Sequence, residues 1–416
     1  MTIPSSAKTA ETAKTLAVTT PWHPTEQRPF AGSFVQATTA AVRDLFERID
    51  LYNTEDWTGP ADPVQARMVR KAYAALTSGP SPRIKLAAHR ADEGYWVTDI
   101  PTPVTPRKHY ADWALSHESV LRPVLPGGRF EADVVHGHVG IYGGWLAHRF
   151  ARPDARVVFT EHASFLGKIL GQPRSRAMYA EVMDRADAVL CVSERLRNEL
   201  LGAFPGHAGK IQVVPNAVEI EAMPVRPTPV TELNKWIFIG KVAATKGVPE
   251  LVEAFALAAK DEPTLRLTIL GSGPLVEPLT ARAAELGLSE RIVFHDSVPP
   301  QRVFEFLHAH DLLVHPSKSE TFGMTVVEAV GSGMPVLVTR CGGPEETLEG
   351  LDGVAGLLID VSEDPQVIVD GWRRLAQQVS QLDPGRARAE LIGRYGAASV
   401  ARRLAEVYEI GKAEGT

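Results

Sequence analysis

Glu320 and Glu328 bracket Gly323 in the run Glu-Thr-Phe-Gly-Met-Thr-Val-Val-Glu, with the spacing E-x7-E. The segment before it, residues 311 to 315, is a short apolar run of buried-strand type, and the segment after Gly323 carries apolar residues at helical spacing. The pattern is strand, loop, helix. A loop that ends in Gly-Met-Thr and opens a helix aims free N–H groups and the positive end of the helix dipole at a ligand, which favours a phosphate. A carboxylate beside a phosphate repels it, so Glu320 on the loop and Glu328 on the helix are better placed to accept hydrogen bonds from hydroxyls at opposite ends of one ligand. A nucleotide sugar has hydroxyls at both ends and phosphates between. The spacing alone is met equally well by two solvated charges at a helix start.

The next residues, GSGMPVLVTRCGGPEE from 331 to 346, give a turn, a buried strand and a second glycine-rich turn. With E-x7-E, Gly-x-Pro-Val-Leu-Val and Gly-Gly-x-x-Glu in this order, the chain resembles glycosyltransferase family 4, retaining enzymes of the GT-B fold. The likeness runs through most of the C-terminal half and more loosely across the N-terminal half. It implies two Rossmann-like β/α/β domains facing across a cleft, with a C-terminal helix crossing back, and a nucleoside-diphosphate sugar as donor, UDP-sugars being the default. By the same resemblance Glu320 binds the transferred sugar, Glu328 the ribose, and the amides of Thr321, Phe322, Gly323, Met324 and Thr325 the diphosphate.

Other loops follow from the same comparison. Gly240 and Lys241 come after the first strand of the second half, and Lys246 near the next helix start joins Lys241 in neutralising a diphosphate leaving group. Lys241 stands where Arg is commoner in similar enzymes, which reduces a bidentate contact to a point charge. Val298 matches the place where main-chain groups hold the nucleobase. Gly32 and Ser33, at the start of a helix expected over 32 to 48, approach the donor phosphates from the other side; a plain helix-start glycine is the alternative. In Asp133-Val-Val-His136-Gly-His138 the two histidines alternate along a strand and share a face. His138 is the one expected to hydrogen-bond the transferred sugar, which with Glu320 and Lys246 completes the catalytic group. His162 and Lys168 are expected to line the acceptor side.

The elements that must carry these residues alternate as short apolar strands and helical patterns, the sign of parallel α/β sheets. Strands are expected at 15–20, 133–138, 156–161, 188–193 and 211–214, then at 235–240, 265–270 and 334–338. A chain of 416 residues exceeds what one core supports. The expected division is a loose tail at 1–14, an acceptor-binding domain at 15–222, a proline-bearing linker, a donor-binding domain at 232–390, and a returning helical segment at 391–416. Hydrophobic content of 44% and charged content of 23% are those of a soluble globular protein. The net charge of −6 argues against a general nucleic-acid binder. Two cysteines, Cys191 and Cys341, have no metal or disulfide spacing. With no apolar leader and no long apolar run, a cytoplasmic protein without stable membrane insertion is expected. The basic helix around Arg67, Arg70 and Lys71 reads as a solvated face.

No Asp-x-Asp occurs, so no acidic clamp for a metal is expected, and leaving-group charge falls to Lys241, Lys246 and the loop amides. Retention with one carboxylate near the sugar favours front-face attack on a donor by a small-molecule acceptor hydroxyl, since double displacement needs a close carboxylate pair. Two other classes share these motifs. A nucleotide-sugar epimerase of the same fold would need cleft acids for proton removal, and a non-catalytic nucleotide-sugar binding protein would show no donor turnover.

Overall fold

The computed structural model describes residues 14–26, 28, 29, 31–58, 63–77, 86, 88–105 and 109–410. Nearly all of the expected tail and the side chain of Arg70 lie outside them. The first sheet is built on β1 (Thr15–Thr20), β2 (Arg48–Asn53), β4 (His89–Arg90), β5 (Trp96–Asp99), β7 (Val134–His138), β8 (Arg156–Glu161), β9 (Ala188–Cys191) and β10 (Ile211–Val213), with a small side pair of β3 (Asp56–Thr58) and β6 (Thr102–Val104). Its order is β10-β9-β8-β7-β1-β2-β5-β4, parallel except for the last pairing. The second sheet holds β11 (Lys235–Ile239), β12 (Arg266–Leu270), β13 (Ile292–His295), β14 (Leu312–His315), β15 (Val336–Thr339) and β16 (Gly356–Ile359) in the order β13-β12-β11-β14-β15-β16, all parallel. Parallel strands covered by helices on both faces must be apolar along their length, and β7, β9, β14, β15 and β16 are buried at every position.

The structure corrects the helix expected over 32 to 48. It runs only from Ser33 to Ala41, a 3-10 turn follows at Arg43–Leu45, and Arg48 already pairs with Thr15 as the first residue of β2. Ile49, Leu51 and Asn53 are buried on alternate positions, a period of two that competes with and defeats the helical reading. Gly32, the residue before the helix, has φ +71, and a Cβ there would sit 2.1 Å from the carbonyl oxygen of Trp22. That close approach requires glycine.

The second sheet packs around Trp236, Phe238, Phe255 and Trp372. The last helix, Ala397–Tyr408, does not belong to that core. It buries Val400, Leu404, Val407 and Tyr408 against Leu16, Val18, Phe46 and Ile49 of the first sheet, and Tyr408 shares a 2.6 Å hydrogen bond with His136 Nδ1. At the crossing, Val218 and Gly396 form a parallel bridge. Among the described residues no helix is long and apolar enough to cross a membrane.

Candidate functional site

The carboxyl ends of both sheets face one cleft, where open parallel sheets take ligands. Two adjoining cavities of about 290 and 1010 Å³ occupy it, and Met324 lines both. In the smaller one, Trp22, Phe34, His162 and Asn216 form the wall from the first half of the chain, opposite Gly240, Lys241, Lys246 and the loop from Glu320 to Thr325.

Gly323 takes φ +93, the left-handed turn that starts the helix Met324–Gly331. The amides from Thr321 to Thr325 make no hydrogen bond to another described residue, and the loop that carries them lines the cavity. Glu320 sits just before them. Its carboxylate pairs with Lys246 Nζ, lies 3.3 Å from His315 Nε2 and accepts a hydrogen bond from Ser317 Oγ at 3.3 Å. Burial alone would raise its pKa, but His315 and Lys246 outweigh burial and bring it down to about 2. Glu320 is therefore a fixed anion, and Lys246 is held at the cavity wall by it. Lys241 is exposed and has no partner among the described residues.

His138 and His162 share a hydrogen bond of 2.9 Å between Nδ1 and Nε2, and His138 also stacks on His136 with ring centroids 4.5 Å apart. Burial first, then the neighbouring histidines, holds His138 well below the usual imidazole range; burial and then His136 carry His162 to about 3 against the opposing pull of Asn216. Both are neutral at physiological pH. It is His162 that lines the cavity, with His138 behind it. The Nδ1 atom of His162 and the Oδ1 atom of Asn216 are buried without a hydrogen-bond partner, which leaves two polar atoms beside the space for a ligand.

Glu328 lines the larger cavity with Pro300, Phe304 and Met324. It has no hydrogen-bond or ion-pair partner among the described residues, and burial pushes it up to about 7. Glu320 and Glu328 thus open onto different cavities that meet at Met324, consistent with opposite ends of one ligand. The second glycine-rich turn works across the cleft: the Glu346 carboxylate accepts hydrogen bonds from the amides of Glu194 and Arg195 at 2.7 and 3.0 Å, at the start of the helix Glu194–Ala203. Arg195 Nη1 in turn donates to the carbonyl of Glu320 at 2.8 Å.

Some expected positions are not brought to the cavities. Lys168 lies exposed on the short helix Leu166–Leu170, and Val298 packs against the core while Pro300 and Phe304 take the wall. Ser33 lines the larger cavity and Phe34 the smaller; Gly32 shapes the turn behind them. His315, Ser317, Asn216 and Arg195 were not anticipated. His315 was the findable one, since it is the last residue of β14 and strand carboxyl ends face the cleft. Among the described residues no three His, Cys, Asp or Glu side chains are grouped to hold a metal ion.

Comparison with known proteins agrees with this geometry. A family model for group 1 glycosyl transferases matches residues 220–384, and one for glycosyltransferase family 4 matches residues 73–222. A D-inositol 3-phosphate glycosyltransferase from Acidothermus cellulolyticus is 30% identical over 288 residues, covering 62% of this chain and 61% of its own length, so the chain spans less than two thirds of that relative. One from Corynebacterium urealyticum is 28% identical over 309 residues, 66% of this chain and 71% of its own length. Among solved structures, sucrose-phosphate synthase from Thermosynechococcus elongatus superposes with TM-score 0.70 at 16% identity over 95% of this chain and 98% of its own. HepE of Anabaena, in complex with UDP-glucose, gives TM-score 0.64 at 16% identity over 95% and 99%.

Proposed function

The chain belongs to glycosyltransferase family 4 and is a GT-B glycosyltransferase, and from this we propose that it moves a hexose from a UDP-sugar to a hydroxyl of a small acceptor, with retention and without a divalent metal. The observation that carries the reading is the Lys246–Glu320 pair set in a cavity wall beside the loop from Thr321 to Thr325, whose amides make no hydrogen bond to another described residue. It supplies an anion for sugar hydroxyls next to donors for a diphosphate.

In this reading the loop amides, Lys241 and Lys246 stabilise charge as it develops on the leaving diphosphate. Glu320 accepts hydrogen bonds from the sugar and cannot also act as a free nucleophile, because its charge is already engaged by Lys246 and His315. Double displacement needs a second carboxylate within about 5.5 Å. Among the described residues lining the smaller cavity, Glu320 is the sole carboxylate. The acceptor oxygen therefore attacks the anomeric carbon from the face the diphosphate leaves; that C–O bond forms as the bond to phosphate breaks, and the acceptor's proton passes to the departing phosphate oxygen. The His162 ring, supported by His138, orients the sugar. The UDP-glucose bound in HepE supports the donor class.

Thermal unfolding with UDP, GDP, dTDP and ADP, each with and without magnesium, tests the donor site, because a ligand of the native state raises its melting temperature. UDP is expected to give the largest rise, equal with and without magnesium. No rise with any nucleotide would overturn the reading.

Glu328 supplies a pH signature. Ribose hydroxyls donating to its carboxylate favour the ionised form, so its pKa falls on binding from about 7 and a proton is released. UDP affinity should then rise with pH up to about 7 and level off above it. Calorimetry from pH 5.5 to 8 is expected to show this slope in the native enzyme and none in Glu328→Gln; equal slopes would remove Glu328 from the ribose.

A further inference from the structure

The larger cavity meets the smaller at Met324, and its volume of about 1010 Å³ leaves room beside a ribose at Glu328 for the acceptor. Its C-terminal wall, Pro300, Phe304, Met324 and Glu328, adjoins the donor loop, and the wall from the first half of the chain carries Glu26, Glu55, Asp56, Glu93 and Asp99 against Arg28 and His89 among the described residues. Pairing does not cancel this excess. Arg28 lies 3.4 Å from Glu55 and His89 lies 3.8 Å from Asp99. Asp56 meets His117 at 3.0 Å. Glu93 has only a neutral donor, Gln36 Nε2 at 2.7 Å, and Glu26 has no partner among the described residues. A cavity walled by one sign of charge concentrates ligands of the other sign and disfavours its own. The carboxylates come from separate loops and no three are grouped to hold a metal ion, which suits charges spread over a small molecule better than one compact ion.

Resting on the transferase reading above, we propose that the acceptor is a small polyhydroxylated ring bearing protonated amino groups, and that Glu93 and Asp99 select it. A phosphorylated ring, such as the D-inositol 3-phosphate that names the relatives, would place a dianion against this wall. The two compounds call for opposite surfaces.

The test is calorimetric binding of a diaminocyclitol, inositol and inositol 3-phosphate to the full chain at pH 7.5, with and without UDP. We expect the diaminocyclitol to bind at least about tenfold more tightly than inositol, a difference of about 1.4 kcal/mol, the phosphate to bind more weakly than inositol, and the amine preference to shrink as salt is raised. Glu93→Gln and Asp99→Asn should each reduce the preference several-fold. Glu26→Gln, at an exposed position, provides a third variant if either fails to fold. Tightest binding of the phosphate, or equal affinity for all three, overturns the proposal. UDP binding without amine preference leaves the donor reading standing and this one fallen; amine preference without UDP binding overturns the donor reading and with it the assignment of the amine as acceptor.

Discussion

Glu320→Gln is expected to lower kcat by about a thousandfold, at the upper end of what removing one preorganised electrostatic partner costs, and to lower the melting temperature without unfolding the protein, because the ion pairs to Lys246 and His315 are lost. The side chain keeps its shape but loses the charge that Lys246 and His315 hold in place. In the native protein Lys246 and His315 hold the carboxyl well below its ordinary range, so at physiological pH it is ready to accept hydrogen bonds from the sugar without first losing a proton. Lys246, His315 and Ser317 all meet Oε1, so the amide oxygen can keep that place, and the NH2 group then replaces the oxygen left for the sugar hydroxyls, donor against donor. The check is product formation at saturating donor and acceptor, beside UDP-induced thermal stabilisation as a measure of an intact nucleotide site. Turnover within tenfold of the native enzyme would remove Glu320 from the reaction.

Lys246→Met should cost about a hundredfold or more in kcat/KM, and its pH profile should separate it from a simple loss of affinity. Lys246 serves two partners in the proposed complex, the diphosphate and Glu320. Without it, burial acts on Glu320 with only His315 in opposition, and the carboxylate pKa climbs. The native enzyme should show no acidic limb from this group above about pH 3, whereas the variant should lose activity as pH falls through the raised value. The same shift has a stability counterpart. Glu320 is held below the ordinary carboxylate range in the folded state, so it contributes stability that is present above the unfolded pKa and lost as pH falls towards 2; the variant should surrender part of that contribution. Because Lys246 and Glu320 act as a pair, the double variant should be little worse than Glu320→Gln alone. Additive losses would mean that the two act separately.

Much of this was legible because the strands that build the site are continuous apolar runs. β1 and β8 coincide with the spans read from sequence, and the strand–loop–helix at Glu320 is where its glycine and helical spacing put it. β2 and β5 were missed for a physical reason: Arg-Ile-Asp-Leu-Tyr-Asn and Trp-Val-Thr-Asp are short and alternate polar and apolar residues near the outer edge of the sheet, so neither shows the continuous apolar run of the central strands. The histidines show a different limit. A shared strand face correctly implies that His136 and His138 lie side by side, yet depth along that face depends on the neighbouring strand. His162, just beyond the end of β8, stands between His138 and the cavity, and spacing within one strand does not encode that. Likewise the conversation between Glu320 and His315, and the reach of Glu346 to the amides of Glu194 and Arg195, join residues from separate loops whose proximity only the assembled sheets create.

The final helix sets the terms on which this enzyme could be recombined. Val400, Leu404, Val407 and Tyr408 belong to the apolar core of the first sheet, and the Tyr408 hydroxyl touches a histidine that stacks on His138. A chimera joined in the segment around residue 230, taking everything beyond it from a relative, would carry a foreign helix into the recipient's core and leave the first sheet's apolar face without its matched cover. The natural exchangeable cassette is an internal one, opened after Val218 and closed before Gly396, where the two crossings already lie side by side. Exchanging the second sheet between relatives is thus an insertion, with both seams at one buried place in the molecule, and β1 stays with the helix that covers its sheet.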